Sequence, residues 1–198
     1  MPFRTFEDGM AEGPLAVARV HGGRLEFRAA GTLRAYPTRP RFEVRRLGVD
    51  HVLSAEGERC GPNDKNRCER ATRLMWLDRQ RFRMRPLMSS TVRKCLGPAW
   101  FPATERIVRN VSDRWQRELQ RDVALAFEED RVSIDEHIVV NYRDLDQPNM
   151  PPRLFREAQA KIVLRVQGGE LLAEGQSSWP QIRQEDGSTR LEGSDARR

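Results

Sequence analysis

Lysine is nearly absent from this sequence of 198 residues, since it occurs only at Lys65, Lys94 and Lys161. Arginine therefore supplies 32 of the 35 basic residues, and the 29 acidic residues leave a net charge of +6. The planar guanidinium group matches phosphate oxygens, so one interpretation is contact with a nucleic acid or another polyanion. The sequence favours the other interpretation, a codon preference for arginine, because net charge reports on partners and solubility rather than on fold.

Long apolar runs are also missing. No stretch approaches the roughly 18 consecutive apolar residues of a membrane-spanning helix, so no membrane span is expected. The N-terminal region does not show the basic, apolar and small-residue segments of a secretion signal. We expect a cytoplasmic protein if Met1 is native, and an extracytoplasmic one if the chain is a mature form with an oxidised Cys60–Cys68 pair.

Sequence motifs of catalysis and of cofactor binding are absent as well. The chain contains no G-x-G-x-x-G, P-loop, H-E-x-x-H or G-x-S-x-G pattern. Asp135 and His137 would share one face of a strand and could hold a metal jointly, but a third ligand is not evident. His51 would share a face with Val49 and Leu53, which predicts a buried side chain. The sequence therefore predicts no cofactor and no metal.

Cysteine is scarce, with three residues in the chain. Cys60 and Cys68 bracket a polar, turn-rich loop, and Cys95 lies further along the chain. Three interpretations stay open: a disulfide between Cys60 and Cys68, free thiols, or a metal site completed by a histidine. The disulfide is favoured, because the spacing matches no paired C-x-x-C pattern of a zinc site.

The longest amphipathic pattern runs from Pro102 to Phe127. Its apolar residues recur every three or four positions, which would place them in one stripe along an α-helix. Arginine, glutamate, aspartate and glutamine cover the other side. The sequence therefore predicts one helix over residues 102–127, with an apolar stripe formed by Val108, Val111, Trp115, Leu119, Val123 and Ala126.

Alternation of apolar and polar residues predicts strands on both sides of this helix. Two hairpins are expected at Gly22–Gly23 and Gly168–Gly169, because paired glycines suit a two-residue turn. Polar or proline-rich composition predicts loops over residues 55–70 and 141–153. The predicted strands cover residues 14–20, 24–36, 42–47, 49–54, 74–84, 132–142, 158–166 and 171–179.

These elements predict an α+β fold, in which a curved antiparallel sheet of about six to eight strands packs on one long amphipathic helix over about 102–127. Residues 1–13 are expected to form a mobile N-terminal arm, residues 14–182 a single domain, and residues 183–198 a disordered tail. One apolar face per strand fits a sheet that is covered on one side and wet on the other.

A ladder of arginines is the strongest recognition feature. Arg79, Arg81, Arg83 and Arg85 would share the strand face opposite Phe82 and Met84. Arg28, Arg34, Arg45 and Arg46 could extend this patch if their strands adjoin. Their spacing along a strand, about 6.6 to 6.8 Å, is close to twice the phosphate spacing of a nucleic-acid strand. The absence of aromatic residues from that face weakens this interpretation, because single strands are held largely by stacking.

The sequence favours a non-enzymatic binding or assembly module that acts on a protein partner. Such a module would use either the arginine-rich sheet face or the cleft between helix and sheet, a common place for a ligand. The alternative is a nucleic-acid-binding or other polyanion-binding protein that uses the Arg79, Arg81, Arg83 and Arg85 face. A small enzyme with a carboxylate or histidine site in the cleft is the weaker alternative.

Overall fold

Strands dominate the computed structural model, which describes residues 4–7, 9–60, 68–78 and 80–188. The helix α1 (Trp179–Ser188) comes last in this part of the chain. The strands are β1 (Arg4–Thr5), β2 (Ala11–His21), β3 (Arg24–Ala35), β4 (Thr38–Leu47), β5 (Asp50–Cys60), β6 (Cys68–Asp78), β7 (Arg81–Arg83), β8 (Pro86–Ser89), β9 (Cys95–Pro98), β10 (Trp100–Pro102), β11 (Thr104–Asn110), β12 (Trp115–Phe127), β13 (Arg131–Asp144), β14 (Arg153–Gln167) and β15 (Glu170–Glu174).

The predicted helix over residues 102–127 is wrong, and with it the α+β fold class. This stretch forms β11 and β12, which pair with each other in antiparallel register. Trp115, Leu119 and Val123 are four residues apart, and four is also a multiple of the strand period of two, so they share one strand face. Arg117 and Arg121 fill the positions between them on that face, which hid the alternation.

Two curled sheets contain the strands. Sheet A has the order β1-β2-β3-β7-β6-β5-β4, with β10 paired to a second stretch of β6. Sheet B has the order β11-β12-β13-β14-β15-β8-β9. Neighbouring strands are antiparallel, apart from β3 with β7 and β15 with β8, which are parallel. The predicted antiparallel pairing is therefore confirmed, but it is divided between two sheets.

A core of apolar side chains joins the inner faces of the two sheets. Burial of this apolar surface is the main favourable term that holds the sheets together. The larger members are Leu47, Val52, Leu74 and Trp76 from sheet A, Phe101 from the connection between the sheets, and Val123, Val132, Ile134, Ile162, Leu164 and Leu171 from sheet B. Val132 and Leu164 are completely buried.

Sheet A is covered on both faces in its centre. On the face away from sheet B, Leu53 and Met75 pack with Leu33 and Ala35 of the β2–β3 hairpin. Because both faces are covered, residues 52–55 of β5 are all buried. A strand buried on both sides needs apolar or small residues at consecutive positions, and Val52 and Leu53 meet that need.

The helix α1 covers the part of the inner face of sheet B that sheet A does not reach. Trp179 and Ile182 pack there on Leu119, Ile138 and Val140. Ile182 and Leu119 are completely buried. These two side chains, three residues apart, form the apolar contact between α1 and the sheet.

The chain passes from sheet A to sheet B through residues 99–103, and this segment hydrogen-bonds to both. Leu74 of β6 donates its N–H to the carbonyl of Ala99 at 3.0 Å, and Ala103 donates to Arg70 at 2.7 Å. Val123 of β12 donates to the carbonyl of Ala103 at 2.8 Å. The two sheets are thereby held at a fixed distance along this side.

The two glycine-pair hairpins are confirmed. Gly22 and Gly23 have φ of 56° and 75°, and Gly168 and Gly169 have φ of 59° and 74°. Both pairs adopt the left-handed conformation that side-chain-bearing residues avoid. The predicted loop over residues 55–70 is wrong where the structure describes it, because β5 continues to Cys60 and β6 starts at Cys68.

The ends of the described chain carry regular structure. Residues 4–5 form β1, which pairs with β2, and residues 183–188, assigned from the sequence to the tail, belong to α1. Residues 189–198 lie outside the described part, so the predicted disordered tail is not tested there. Among the described residues, no helix is both long and apolar enough to cross a membrane.

An arginine fixes the far end of β13. Arg114, in the turn between β11 and β12, donates to Asp144 with Nη2 to Oδ2 at 2.7 Å. This hydrogen bond is the main reason why the pKa of the Asp144 carboxyl lies below its ordinary value. The backbone N–H of Leu145 also donates to the carbonyl of Arg114 at 2.7 Å.

Truncation of the inter-sheet core should destabilise the whole protein. We expect Leu164→Ala to lower the free energy of unfolding by about 2–5 kcal/mol, because it leaves a cavity between two sheets that cannot collapse. Urea denaturation followed by circular dichroism measures the change. Val49→Ala is the control, since Val49 is 87% exposed and its truncation should have almost no effect. Equal effects of both variants would contradict the packing described here.

Removal of Arg114 should raise the pKa of Asp144. A carboxyl whose folded-state pKa is lowered stabilises the fold above its unfolded-state pKa, and this contribution is lost as the pH falls through the lowered value. We therefore expect the Asp144 carboxyl to titrate at a higher pH in Arg114→Ala, measured by the carbon chemical shift of its side chain. Arg109→Ala should leave the titration unchanged. An unchanged titration in Arg114→Ala would show that the pair does not form.

Candidate functional site

A groove of about 340 Å³ lies between the inner face of sheet A and β12 of sheet B. It takes the place of the predicted helix/sheet cleft, which does not exist because residues 102–127 form strands. Phe101, Val123 and Phe127 give the groove an apolar floor. Its polar wall consists of Arg41, Glu43, Arg45, Glu56, Arg70 and Thr72. The inner face of sheet A is therefore apolar at one end of its strands and charged at the other.

Strand register brings these charged residues together. Arg41 of β4 lies opposite Glu56 of β5, and Glu56 lies opposite Thr72 of β6. Arg45 lies opposite Val52, a member of the inter-sheet core, so the change from core to groove occurs within β4 and β5. Directly opposite residues of an antiparallel pair share a face, which is why the groove is continuous across three strands.

The arginines of the groove outnumber its carboxylates. Glu43 is shared, since it pairs with Arg45 and also with Arg41, whose Nε lies 3.8 Å from Oε1 of Glu43. Arg70 pairs with Glu56, with 3.6 Å between Nε and Oε1. Three guanidinium groups therefore share two carboxylates, and the groove carries a surplus of positive charge.

The side chain of Arg45 is also held by an aromatic ring. Its guanidinium carbon lies 4.2 Å from the centroid of the Phe127 ring on β12. A planar cation over a ring face is attracted electrostatically, and the contact keeps the guanidinium group at the groove wall. The same contact ties β4 of sheet A to β12 of sheet B.

The strand β4 forms one border of the groove and is the last strand of sheet A. Among the described strands it pairs with β5 alone, so its other edge has no strand partner. Phe42 and Val44, which point away from the groove, are 43% and 45% exposed. Pro40 and a bulge between Thr38 and Arg41 interrupt the first part of the strand, and the regular free edge runs over residues 41–47.

The turn after β4 determines which backbone groups face this free edge. Gly48, at φ 63°, and Val49 form a two-residue turn between Leu47 and Asp50. In an antiparallel pair the backbone groups of alternate residues point towards the partner strand and away from it. Because the pair that flanks a two-residue turn exchanges hydrogen bonds, we expect the outward N–H and C=O groups to be those of Phe42, Val44 and Arg46.

The described arginines of the predicted ladder do not all lie on one strand. Arg79 lies outside the described residues. Arg81 and Arg83 are exposed and lie two residues apart on β7. Arg85 follows β7, is partly buried, and donates a hydrogen bond to the carbonyl of Gly169. Of the three described arginines, Arg81 and Arg83 share a strand and Arg85 does not.

Arg28 and Arg34 lie on β3, the strand next to β7. The two strands meet where Ala30 pairs with Arg81. Arg28 donates to Glu26 at 2.8 Å, and the guanidinium carbon of Arg34 lies 3.8 Å from the centroid of the Phe6 ring. Both arginines therefore already have a partner within the chain, and polyanion binding by this group stays a prediction.

The disulfide between Cys60 and Cys68 is confirmed. The two residues lie opposite each other at the ends of β5 and β6, and the chain between them is outside the described residues. Glu56 comes four residues before Cys60 and Arg70 two residues after Cys68, so the bond fixes the register of two groove strands. The remaining cysteine, Cys95, is free and exposed.

His137 pairs with an acid of the neighbouring strand rather than with the acids next to it in sequence. His137 lies on the outer face of sheet B, where its Nε2 is 2.7 Å from Oε1 of Glu157 and both side chains are largely exposed. Asp135 lines the same open depression, but among the described residues no third ligand group joins it and His137. The predicted burial of His51 is wrong, since its face of β4 and β5 is open to solvent there.

Sequence reasoning missed a buried ion cluster on the inner face of sheet B. Glu136 is 2% exposed and accepts hydrogen bonds from Nε of Arg121 at 2.7 Å and from Oγ of Ser177 at 2.8 and 2.9 Å. The Nη1 of Arg121 also donates to Glu105 at 2.7 Å. The serine accepts in turn from the backbone N–H of Trp179 at 3.1 Å, so the cluster fixes the start of α1.

The position of Glu136 was visible in the sequence as a lone acid in an apolar face. Ile134 and Ile138 flank it on the same strand face, and each belongs to a different apolar cluster. A charge at such a position needs a partner, because an unpaired carboxylate is strongly disfavoured in the interior. Arg121 was not recognised as that partner, because its strand was interpreted as a helix.

No family model matches the chain, and comparison with curated proteins and with solved structures finds no significant match.

Loss of Arg121 alone should be far more damaging than loss of the whole pair. We expect Arg121→Met to lower the free energy of unfolding by about 3–5 kcal/mol, because it leaves the Glu136 carboxylate buried without its cation. Arg121→Met/Glu136→Leu should recover most of that loss, as measured by urea denaturation. The surface pair Arg106 and Glu118 is the control, and Arg106→Met should cost less than about 1 kcal/mol. A double variant as unstable as the single one would contradict a buried pair.

Proposed function

We propose that this protein is a non-enzymatic binding module that takes up an extended segment of a protein partner along the free edge of β4. The observation that carries the proposal is the position of this edge, which borders the arginine-rich groove between the two sheets. The segment adds a strand to sheet A next to residues 41–47. Its side chains alternate between the groove and the exposed surface of Phe42 and Val44.

Strand addition uses the backbone groups that the sheet edge leaves without partners. An edge strand presents a row of N–H and C=O groups that another chain can pair with. Extended peptides bind many domains in this way, with affinity from main-chain hydrogen bonds and specificity from alternate side-chain pockets. Here the alternate pockets differ in character, since one face is charged and the other apolar.

The groove favours acidic side chains on the partner. Arg41 and Arg45 share Glu43, so a further carboxylate between them completes their pairing. Arginine suits this role, because its planar fork can donate two parallel hydrogen bonds to one carboxylate. On the other face, Phe42 and Val44 offer apolar contact area. The expected segment therefore alternates acidic and apolar residues.

The disulfide supports an extracytoplasmic location. Disulfide bonds persist mainly in oxidising compartments, and the Cys60–Cys68 bond joins two of the strands that line the groove. We propose that the protein works in such a compartment, where its partner segment is also found. A thiol count on protein isolated from its native source, taken with and without reductant, tests this location.

The proposal predicts selective binding of acidic, alternating peptides. The full chain is immobilised and exposed to a displayed library of peptides about seven residues long, the length of the free edge. Val44→Pro removes an outward N–H and should weaken binding of the selected peptide about tenfold or more, whereas Val44→Thr keeps the N–H and should bind nearly as well. Isothermal titration calorimetry measures both affinities.

Charge reversal in the groove tests the proposed peptide binding independently. Arg41→Glu/Arg45→Glu should abolish binding of the acidic peptides, and Arg106→Glu on the exposed face of sheet B should not. The proposal is wrong if Val44→Pro binds as tightly as Val44→Thr, or if the library yields no alternating acidic sequence. Strong retention on heparin that falls steeply with salt, and that Arg81→Gln/Arg83→Gln removes, would instead support the polyanion alternative.

A further inference from the structure

The tip of the β2–β3 hairpin projects from the body of the protein. Every residue from 18 to 28 is exposed, whereas Ala29, at the start of the buried part of the hairpin, is completely covered. The tip comprises the last residues of β2, the Gly22–Gly23 turn and the first residues of β3. A two-stranded ribbon without a covering layer is marginally stable in water. An uncovered apolar face on such a ribbon therefore suggests a binding partner that covers it.

One face of this tip is apolar. Val20 pairs with Leu25 and Ala18 with Phe27, so these four side chains share one face. Val20, Leu25 and Phe27 are 69%, 77% and 57% exposed. The apolar face of the tip is therefore uncovered along its whole length.

The charges around the tip are mainly positive. Arg19, Arg24 and Arg28 are basic, and Glu26 is the acidic residue among positions 18–28. Glu26 pairs with Arg28 at 2.8 Å, while no ion pair joins Arg19 or Arg24 to another described residue. Long arginine side chains can lie along an apolar surface and still place the charged group at a polar boundary. A surface that offers both anionic groups and an apolar interior matches this arrangement.

The size of the apolar face disfavours a second copy of the chain as the occupant. Three partly exposed side chains offer a few hundred Å² of apolar surface. A stable protein interface needs about 800 Å² from each partner. Insertion into the boundary between lipid headgroups and acyl chains needs no such area, because a few apolar side chains and nearby cationic groups act together.

We propose that the β2–β3 tip docks on the surface of an anionic phospholipid bilayer. The tip lies on the bilayer with its apolar face towards the membrane, and Val20, Leu25 and Phe27 enter the upper part of the acyl region. Arg19 and Arg24 contact lipid phosphates at headgroup depth. The interaction is peripheral and reversible, and it leaves the free edge of β4, on the opposite end of sheet A in strand order, available to a protein partner.

Vesicle co-sedimentation of the full chain tests the proposal. Two probes are compared, vesicles of phosphatidylcholine alone and vesicles with about a third of phosphatidylglycerol. We expect binding to the anionic vesicles only, with the partition coefficient falling about tenfold or more in Leu25→Ser/Phe27→Ser. Val49→Ser/Val92→Ser, which removes two exposed valines elsewhere, should bind as the unchanged protein does.

The arginines are tested with a charge-matched pair of variants. Arg19→Gln/Arg24→Gln should lower the partition coefficient about tenfold, and raised salt should remove the difference from the unchanged protein. Arg93→Gln/Arg109→Gln removes the same number of charges from sheet B and should have a much smaller effect. Equal losses in the two variants would overturn a specific role of the tip.

A reporter variant shows where the tip lies without weakening it. Phe27→Trp places an indole on the apolar face, and its fluorescence emission should shift to shorter wavelength when anionic vesicles are added. Val49→Trp is the control and should not shift. The proposal is overturned if the unchanged protein does not bind anionic vesicles, or if the emission of Phe27→Trp does not shift. It is also overturned if analytical ultracentrifugation shows that the unchanged protein is a dimer and that Leu25→Ser/Phe27→Ser is a monomer.

Discussion

The segment from Ala99 to Ala103 is the constraint on which the arrangement of the two sheets depends. It pairs with β6 of sheet A, and Ala103 also accepts a hydrogen bond from Val123 of sheet B. Phe101, between them, is buried in the inter-sheet core. Because this connection holds the sheets together along one side, the apolar core packs beside it. The charged part of the inner face of sheet A lies outside this core and lines a groove. The free edge of β4 forms the outer border of that groove.

Local turn chemistry was enough to predict two of the hairpins. Gly22–Gly23 and Gly168–Gly169 mark turns whose flanking residues pair as expected. The largest error arose where the core-facing positions are not all apolar. Arg121 occupies one such position on β12. The apolar residues of that face therefore recur every four positions, a spacing that fits a helix as well as a strand. Its buried partner Glu136 lies on the next strand and is 15 residues away in the chain.

The candidate site was less predictable than the strands, because it depends on register between strands. Arg41 and Arg45 are two strand periods apart, and their common face could be inferred from alternation. Glu56 and Arg70 join them only through the pairing of β4, β5 and β6, and the Cys60–Cys68 disulfide holds part of that register. The predicted arginine ladder, by contrast, assumed one strand where the chain turns between β6 and β7.

Amide hydrogen exchange, measured by nuclear magnetic resonance on the full chain, tests most directly whether the edge of β4 is free. With a free edge, the amides of Phe42, Val44 and Arg46 exchange rapidly, while those of Glu43 and Arg45, which face β5, are protected. The rapid amides should become protected when a bound segment adds a strand. Slow exchange at all five positions in the unbound protein would show that another part of the chain already covers this edge, and would contradict the account.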